Sequence, residues 1–199
     1  MRKLLAVIGL LAAVTTAMAQ GALKKVYDET VDPMAQIDGA VAEAARDGKF
    51  VVCQVGGNWC PWCLRFADFV EKDSAVNKVV SDNFVYIHVN YNPRKAAAAA
   101  QTAAPNGSPS AVGKAAATAA SGASSAAGAA AKSSAAQLME RLGHPARFGF
   151  PVFVVLDADG RVLHTQDSSF LEEGNGYDEK KVLRFFRNWT PAAVGGVGK

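Results

Sequence analysis

Phe50-Val51-Val52-Cys53-Gln54-Val55-Gly56-Gly57-Asn58-Trp59-Cys60-Pro61-Trp62-Cys63 is the stretch that decides how this chain folds. Residues 50–55 are short, rich in β-branched side chains and almost wholly apolar, the pattern of a strand buried between helical layers. Gly-Gly-Asn at 56–58 bends the chain. Two cysteines follow, with two residues between them. Beyond them Leu64, Phe66, Ala67 and Val70 supply a buried face while Arg65, Asp68 and Glu71 are polar, which predicts a helix to about Lys72. A strand that delivers Cys60 to a helix start places the first thiol among unpaired backbone N–H groups, at the positive end of the helix dipole. Both favour the thiolate. Cys63 comes one turn later, within reach of the first sulfur. The pair predicts redox chemistry.

Outward from the motif, Met34, Ile37, Val41 and Ala45 recur at helical spacing between Asp32 and Asp47, with Pro33 near the start and Gly48 at the stop. A short helix through Ala75–Val80 leads to Phe84-Val85-Tyr86-Ile87-His88-Val89, a second apolar strand. Composition then changes abruptly: from about Lys95 to Gln137 roughly half the residues are alanine, the rest mostly Ser, Gly, Thr and Lys, with no aromatic side chain. Such a stretch buries too little apolar surface to offset its ordering entropy. Residues 95–135 therefore read as a disordered low-complexity insertion with transient helix around 114–120. Loop-closure entropy grows slowly enough with length for a fold to tolerate it.

Order resumes with a helix near Ala136–Leu142, then Phe148-Gly149-Phe150-Pro151 and the strand Val152–Leu156. Asp157-Ala158-Asp159-Gly160 is a hairpin turn returning through Arg161–Thr165, and Asp178–Trp189 carries Val182, Phe185 and Phe186 at helical spacing. The Gly-rich tail 191–199 reads as frayed. A βαβ unit followed by a hairpin and a closing helix is an α/β arrangement, a central mixed sheet with helices on both faces.

The first nineteen residues read as a cleavable signal peptide: basic Arg2-Lys3, an apolar run from Leu4 to Val14, and Ala17-Met18-Ala19 ahead of Gln20. The run is short for a membrane span. The expected location is the periplasm or the outside of the cell, with no stable membrane insertion after cleavage. Loss of Arg2 and Lys3 lowers the formal charge from +3 to +1, and without basic clusters there is no footing for nucleic acid. One close cysteine pair plus a single Cys53 is not the framework of a disulfide-stapled domain, which needs more, evenly matched cysteines.

In its Trp59-Cys60-Pro61-Trp62-Cys63 run after a buried strand, and in Phe150-Pro151 at the entry to a hairpin, the chain resembles the thioredoxin-fold family. The form of the motif and Gly48-Lys49-Phe50-Val51-Val52 before it are most similar to periplasmic thioredoxin-like proteins near the C-terminal domain of the DsbD-type thiol:disulfide reductase. The resemblance covers about residues 30–94 and 136–189, the core of a thioredoxin-like domain bounded at 20–94 and 136–190. It implies an exposed attacking Cys60 and a more buried resolving Cys63. It also implies a cis Pro151 lying against the disulfide, with the backbone before it pairing with an extended substrate. Trp59 would be an apolar docking surface; Pro61, Trp62 and Phe150 complete the candidate substrate contacts. Two departures stand out. The family's buried acid, six residues before the first cysteine, is here Gln54, which cannot titrate. Phe150 is bulkier than the small or β-branched residue common before the cis-proline, and so narrows the substrates.

The chemistry expected is thiol–disulfide exchange without cofactor or metal, by a monomer acting on protein thiols and disulfides and recharged by an unidentified redox partner. Pro61-Trp62 brings neither charge nor histidine between the cysteines, which favours a reducing or isomerising role over a strongly oxidising one. A permanent disulfide is the bland alternative, although so short a loop constrains the unfolded chain little. Zinc would need two further ligands that Cys53, His88, His144 and His164 do not offer at a suitable spacing. Two non-enzymatic readings stand beside the enzyme: a thiolate carrier for a soft ion such as Cu(I), and a substrate-specific adaptor using the insertion as its arm.

Overall fold

Alternation along two central strands sorts the core into two layers. Val51, Cys53 and Val55 of β1 (Phe50–Gly56), with Val152, Val154 and Leu156 of β3 (Val152–Leu156), pack against Ile37, Ala40 and Ala44 of α1 (Pro33–Asp47) and Leu138, Met139 and Leu142 in and after α5 (Ser134–Arg141). The intervening Val52, Phe153 and Val155 face the other way. They meet Phe66 and Val70 of α2 (Pro61–Lys72), Val76 and Val80 of α3 (Ser74–Asn83), and Val182, Phe185 and Phe186 of α6 (Glu179–Asn188). Side chains two apart share a face of a strand, so the near-continuous apolar runs of the sequence are strands covered on both sides. The computed structural model describes residues 23–103 and 134–195.

The sheet has the order β2-β1-β3-β4, with β2 (Phe84–Asn90) parallel to β1, and β3 antiparallel to both β1 and β4 (Val162–Asp167). This is the mixed sheet flanked by helices that the sequence predicts. Asp157 closes the β3–β4 turn by accepting from the N–H groups of Asp159 and Arg161 at 2.9 and 2.8 Å, while Gly160 takes a φ of 78°. A small hairpin, β5 (Glu172–Glu173) and β6 (Gly176–Tyr177), lies beyond β4. Among the described residues no helix is long and apolar enough to cross a membrane. The expected signal peptide, 1–19, lies outside them.

Two stretches differ from expectation. The segment read as a disordered insertion, 95–135, begins as part of helix α4 (Pro93–Ala103), and its last two residues open α5. The cause is local. Asn92 accepts from the N–H groups of Arg94 and Lys95 at 3.0 and 3.2 Å, Pro93 takes the first helical position, and a run of alanines follows. Residues 104–133, including the expected transient helix at 114–120, lie outside the described residues. In the tail, read as frayed from 191, α7 (Pro191–Gly195) is helical, and the Thr190 hydroxyl accepts from the N–H of Ala193 at 3.2 Å; residues 196–199 are outside the description.

Candidate active site

The motif sits where β1 ends and α2 begins. Cys60 is the N-cap residue of α2, with extended backbone, and Pro61 fills the first helical position. The Cys60 N–H donates to the Gly57 carbonyl at 3.0 Å, which tightens the bend, and the Cys63 N–H donates to the Cys60 sulfur at 3.1 Å. The first sulfur thus occupies the place of a capping oxygen, receiving one of the orphan donors of the helix start. Cys60 and Cys63 form a disulfide with Cα atoms 5.3 Å apart. Cys60 is the outer of the two at 4% exposure against 0% for Cys63. The expected exposed attacking sulfur is therefore largely covered, because Trp62 and Phe150 pack against the cluster that holds it.

The second predicted segment reaches the first. The Phe150–Pro151 peptide is cis, and the Phe150 carbonyl oxygen lies 3.7 Å from the Cys60 sulfur. Pro151 is buried. The Phe150 ring meets Trp59 edge-on at 5.4 Å and stacks on Tyr91 at 5.7 Å. Trp59 is 44% exposed and donates from its indole N–H to the Tyr91 carbonyl at 3.1 Å. Trp62, on the opposite flank, meets Tyr177 edge-on at 5.7 Å beneath the Arg65 guanidinium, and the Tyr177 hydroxyl donates to its carbonyl at 3.1 Å. Pro61 is exposed at the tip. The result is a small sulfur site ringed by aromatic side chains.

A family model described as a thioredoxin-like domain matches residues 37–167, a span that takes in both cysteines and Pro151. The chain belongs to the thioredoxin-like family. That model is the general one and does not single out the DsbD-type domain. Among solved structures, disulphide isomerase from Xylella fastidiosa Temecula1 aligns with 84% of this chain and 98% of that one, at a TM-score of 0.56 and 18% identity, a likeness of fold alone. No curated protein matches the chain.

Within this thioredoxin-like frame three further sequence candidates, Cys53, His144 and His164, stand apart from the disulfide. Cys53 points to the α1 face, opposite the side that carries Gln54, and burial pushes its thiol up to about 12, so it stays protonated. His144 is exposed in a left-handed conformation ahead of the helical turn Pro145–Phe148, and His164 stacks on Trp189 at 4.4 Å. Among the described residues no three His, Cys, Asp or Glu side chains gather as metal ligands would.

Three site residues escaped the sequence reading: Asn58, Tyr27 and Tyr86. Asn58 binds the extended segment before α1: its Oδ1 accepts from the N–H groups of Val26 and Tyr27 at 3.2 and 3.1 Å, and its Nδ2 donates to the Tyr27 carbonyl at 2.8 Å. That clamp places Tyr27 against Cys60, Cys63 and Leu64. Asn58→Ala removes these three bonds and a fourth, from Nδ2 to the Glu29 carboxylate at 3.3 Å, and is expected to cost about 1–3 kcal/mol in denaturant-induced unfolding. A loss under about 0.5 kcal/mol would show that the segment is held by other means.

Gln54 and Tyr86 lie beneath the disulfide with His88. Gln54 is fully buried at 0% exposure; its amide donates to the Cys63 carbonyl at 2.8 Å and to the Tyr27 hydroxyl at 2.7 Å, and its oxygen accepts from the Tyr86 hydroxyl. The His88 ring is wedged edge-on between Tyr27 and Tyr86, and its buried Nε2 has no hydrogen-bond partner among the described residues. Burial lowers the His88 pKa from 6.5 to about 4. Between those values the unfolded chain holds a proton that the folded one does not. Folding stability is therefore complete above pH 6.5 and falls towards pH 4, by up to about 3 kcal/mol. Unfolding midpoints measured across pH 4–7 should show this slope, flattened in His88→Phe; an equal slope in that variant assigns it elsewhere.

Proposed function

We propose that this thioredoxin-like chain is an exported thiol–disulfide oxidoreductase. The observation that carries the reading is the Cys60 sulfur seated as the cap of α2, bonded to a buried Cys63 and bordered by the Phe150 carbonyl. In the reduced protein the Cys63 N–H and the helix dipole favour the Cys60 thiolate. That thiolate attacks one sulfur of a partner disulfide, and the other sulfur leaves as a thiolate. Cys63 then attacks the Cys60 sulfur of the mixed disulfide, releasing the partner's second thiol and closing Cys60–Cys63. The partner gains two electrons and the chain loses them. Trp59, Pro61, Trp62, Phe150 and Pro151 border the reacting sulfur and form the surface on which an extended protein segment docks.

Pro61-Trp62 brings neither charge nor histidine between the cysteines, so a reducing or isomerising role is favoured over strong oxidation. Export rests on Arg2-Lys3, the apolar run and Ala17-Met18-Ala19; a mature chain beginning at Gln20 in the periplasmic fraction is the expected finding. The test of activity is insulin reduction by the purified mature protein supplied with dithiothreitol. Clear acceleration over the dithiol alone is expected, and none would overturn the assignment.

A further inference from the structure

The geometry points to Tyr27 as the hydrogen-bond donor that steadies the Cys63 thiolate during the second exchange step. The orientation of the Gln54 amide is fixed by its partners. The Cys63 carbonyl can only accept, so the Gln54 atom 2.8 Å from it is Nε2. Oε1 then faces Tyr86, whose hydroxyl donates to it, and the second Nε2 hydrogen goes to the Tyr27 oxygen at 2.7 Å. The Tyr27 hydroxyl is thereby an acceptor from Gln54, and its own hydrogen is left to point elsewhere.

The sulfur of Cys63 stands next to it. A Cβ built on Gly56 would lie 2.5 Å from the Cys63 sulfur and 2.9 Å from the Tyr27 oxygen, so both atoms border the bare Cα of that glycine. Tyr27 and Cys63 belong to one buried cluster, and the Asn58 clamp fixes the backbone from which Tyr27 projects. Gln54 replaces an acid with a neutral amide, so no carboxylate serves this sulfur from that position. What the amide does is orient a phenol.

Burial holds the Tyr27 hydroxyl well above its ordinary pKa, so it works as a donor and never as a base. The other titratable groups around it are Tyr86 and His88 from β2 and Tyr177 from β6; burial keeps all three uncharged at neutral pH. In the step itself, Cys63 gives up its thiol proton, which ends on the departing partner sulfur. The Cys63 sulfur bonds to that of Cys60 as the mixed disulfide breaks, and Tyr27 keeps its hydrogen throughout.

This inference rests on the exchange reading, but its test needs no turnover, so the two can fail separately. In a Cys60→Ser background, where Cys63 is the only reactive-site thiol, the ultraviolet absorbance of the thiolate is followed against pH. Adding Tyr27→Phe is expected to raise the Cys63 pKa by about one unit, roughly a tenfold loss of thiolate at neutral pH. An unchanged pKa would overturn the proposal. Should the double variant fail to fold, the hydroxyl proton of Tyr27 in the reduced wild-type protein gives the second readout. Its resonance should shift as Cys63 ionises, and a resonance indifferent to that titration would overturn the proposal equally.

Discussion

Cys60→Ser protein is expected to reduce insulin no faster than dithiothreitol alone, a loss of at least about a hundredfold. Serine keeps the cap: its oxygen can take the Cys63 N–H that now bonds the Cys60 sulfur at 3.1 Å, so α2 should start as before. What it cannot do is attack a disulfide, because an alcohol at this pH is neither ionised nor sulfur-philic. The fold is therefore retained and the chemistry lost. Cys63→Ser divides the two steps. Attack by Cys60 survives, resolution does not, and the protein should accumulate a mixed disulfide with insulin that a reductant releases on a gel. Activity retained in Cys60→Ser would place the reaction elsewhere; accumulation on the wrong cysteine would reverse the assigned roles.

Gly56→Ala carries the second large effect. Gly56 is buried at the end of β1, and the added methyl would come within 2.5 Å of the Cys63 sulfur and 2.9 Å of the Tyr27 oxygen. Neither neighbour is a flexible tip: the sulfur is tied to Cys60, and the phenol is held by Gln54 and by the Asn58 clamp. Forcing one methyl into such packing costs about 1–3 kcal/mol. The damage should show twice, as a lower unfolding midpoint and as a slower resolution step, because the atoms displaced are the resolving sulfur and the group beside it. A variant as stable and as fast as the parent would contradict this packing. Gly57 is a poor control, since a Cβ there would meet the Trp59 ring and the Asn90 side chain.

The parts of this molecule that were legible in the sequence are those specified by neighbours in the chain. The apolar runs at 50–55, 84–89 and 152–156 are short and β-rich, and each is a strand covered by helices on both faces. Cys60 and Cys63 are three residues apart, so a helix start alone brings them together. What could not be read is what forms across distance. Tyr27 meets Gln54 over 27 positions and Gln54 meets Tyr86 over 32, the first through a segment with neither helical nor strand periodicity, and only the folded sheet brings these side chains together. Gln54 was visible as a missing acid, but its work as an orienting amide depends on partners supplied by β2 and by the Asn58 clamp. The opening of the alanine-rich stretch differs from expectation for another reason. Burial potential argued for disorder, whereas Asn92 and Pro93 form a helix start whose effect is local and needs no core.

The proposed function requires that Cys60–Cys63 be a working redox couple and not a fixed crosslink. Equilibration of the purified protein with glutathione buffers, with the dithiol fraction read by alkylation and mass, tests it most directly. A fully reversible two-electron transition is expected between about −270 and −180 mV, the range of thioredoxin-like reductases and isomerases. A pair that stays oxidised to below about −300 mV, as structural disulfides do, would contradict it.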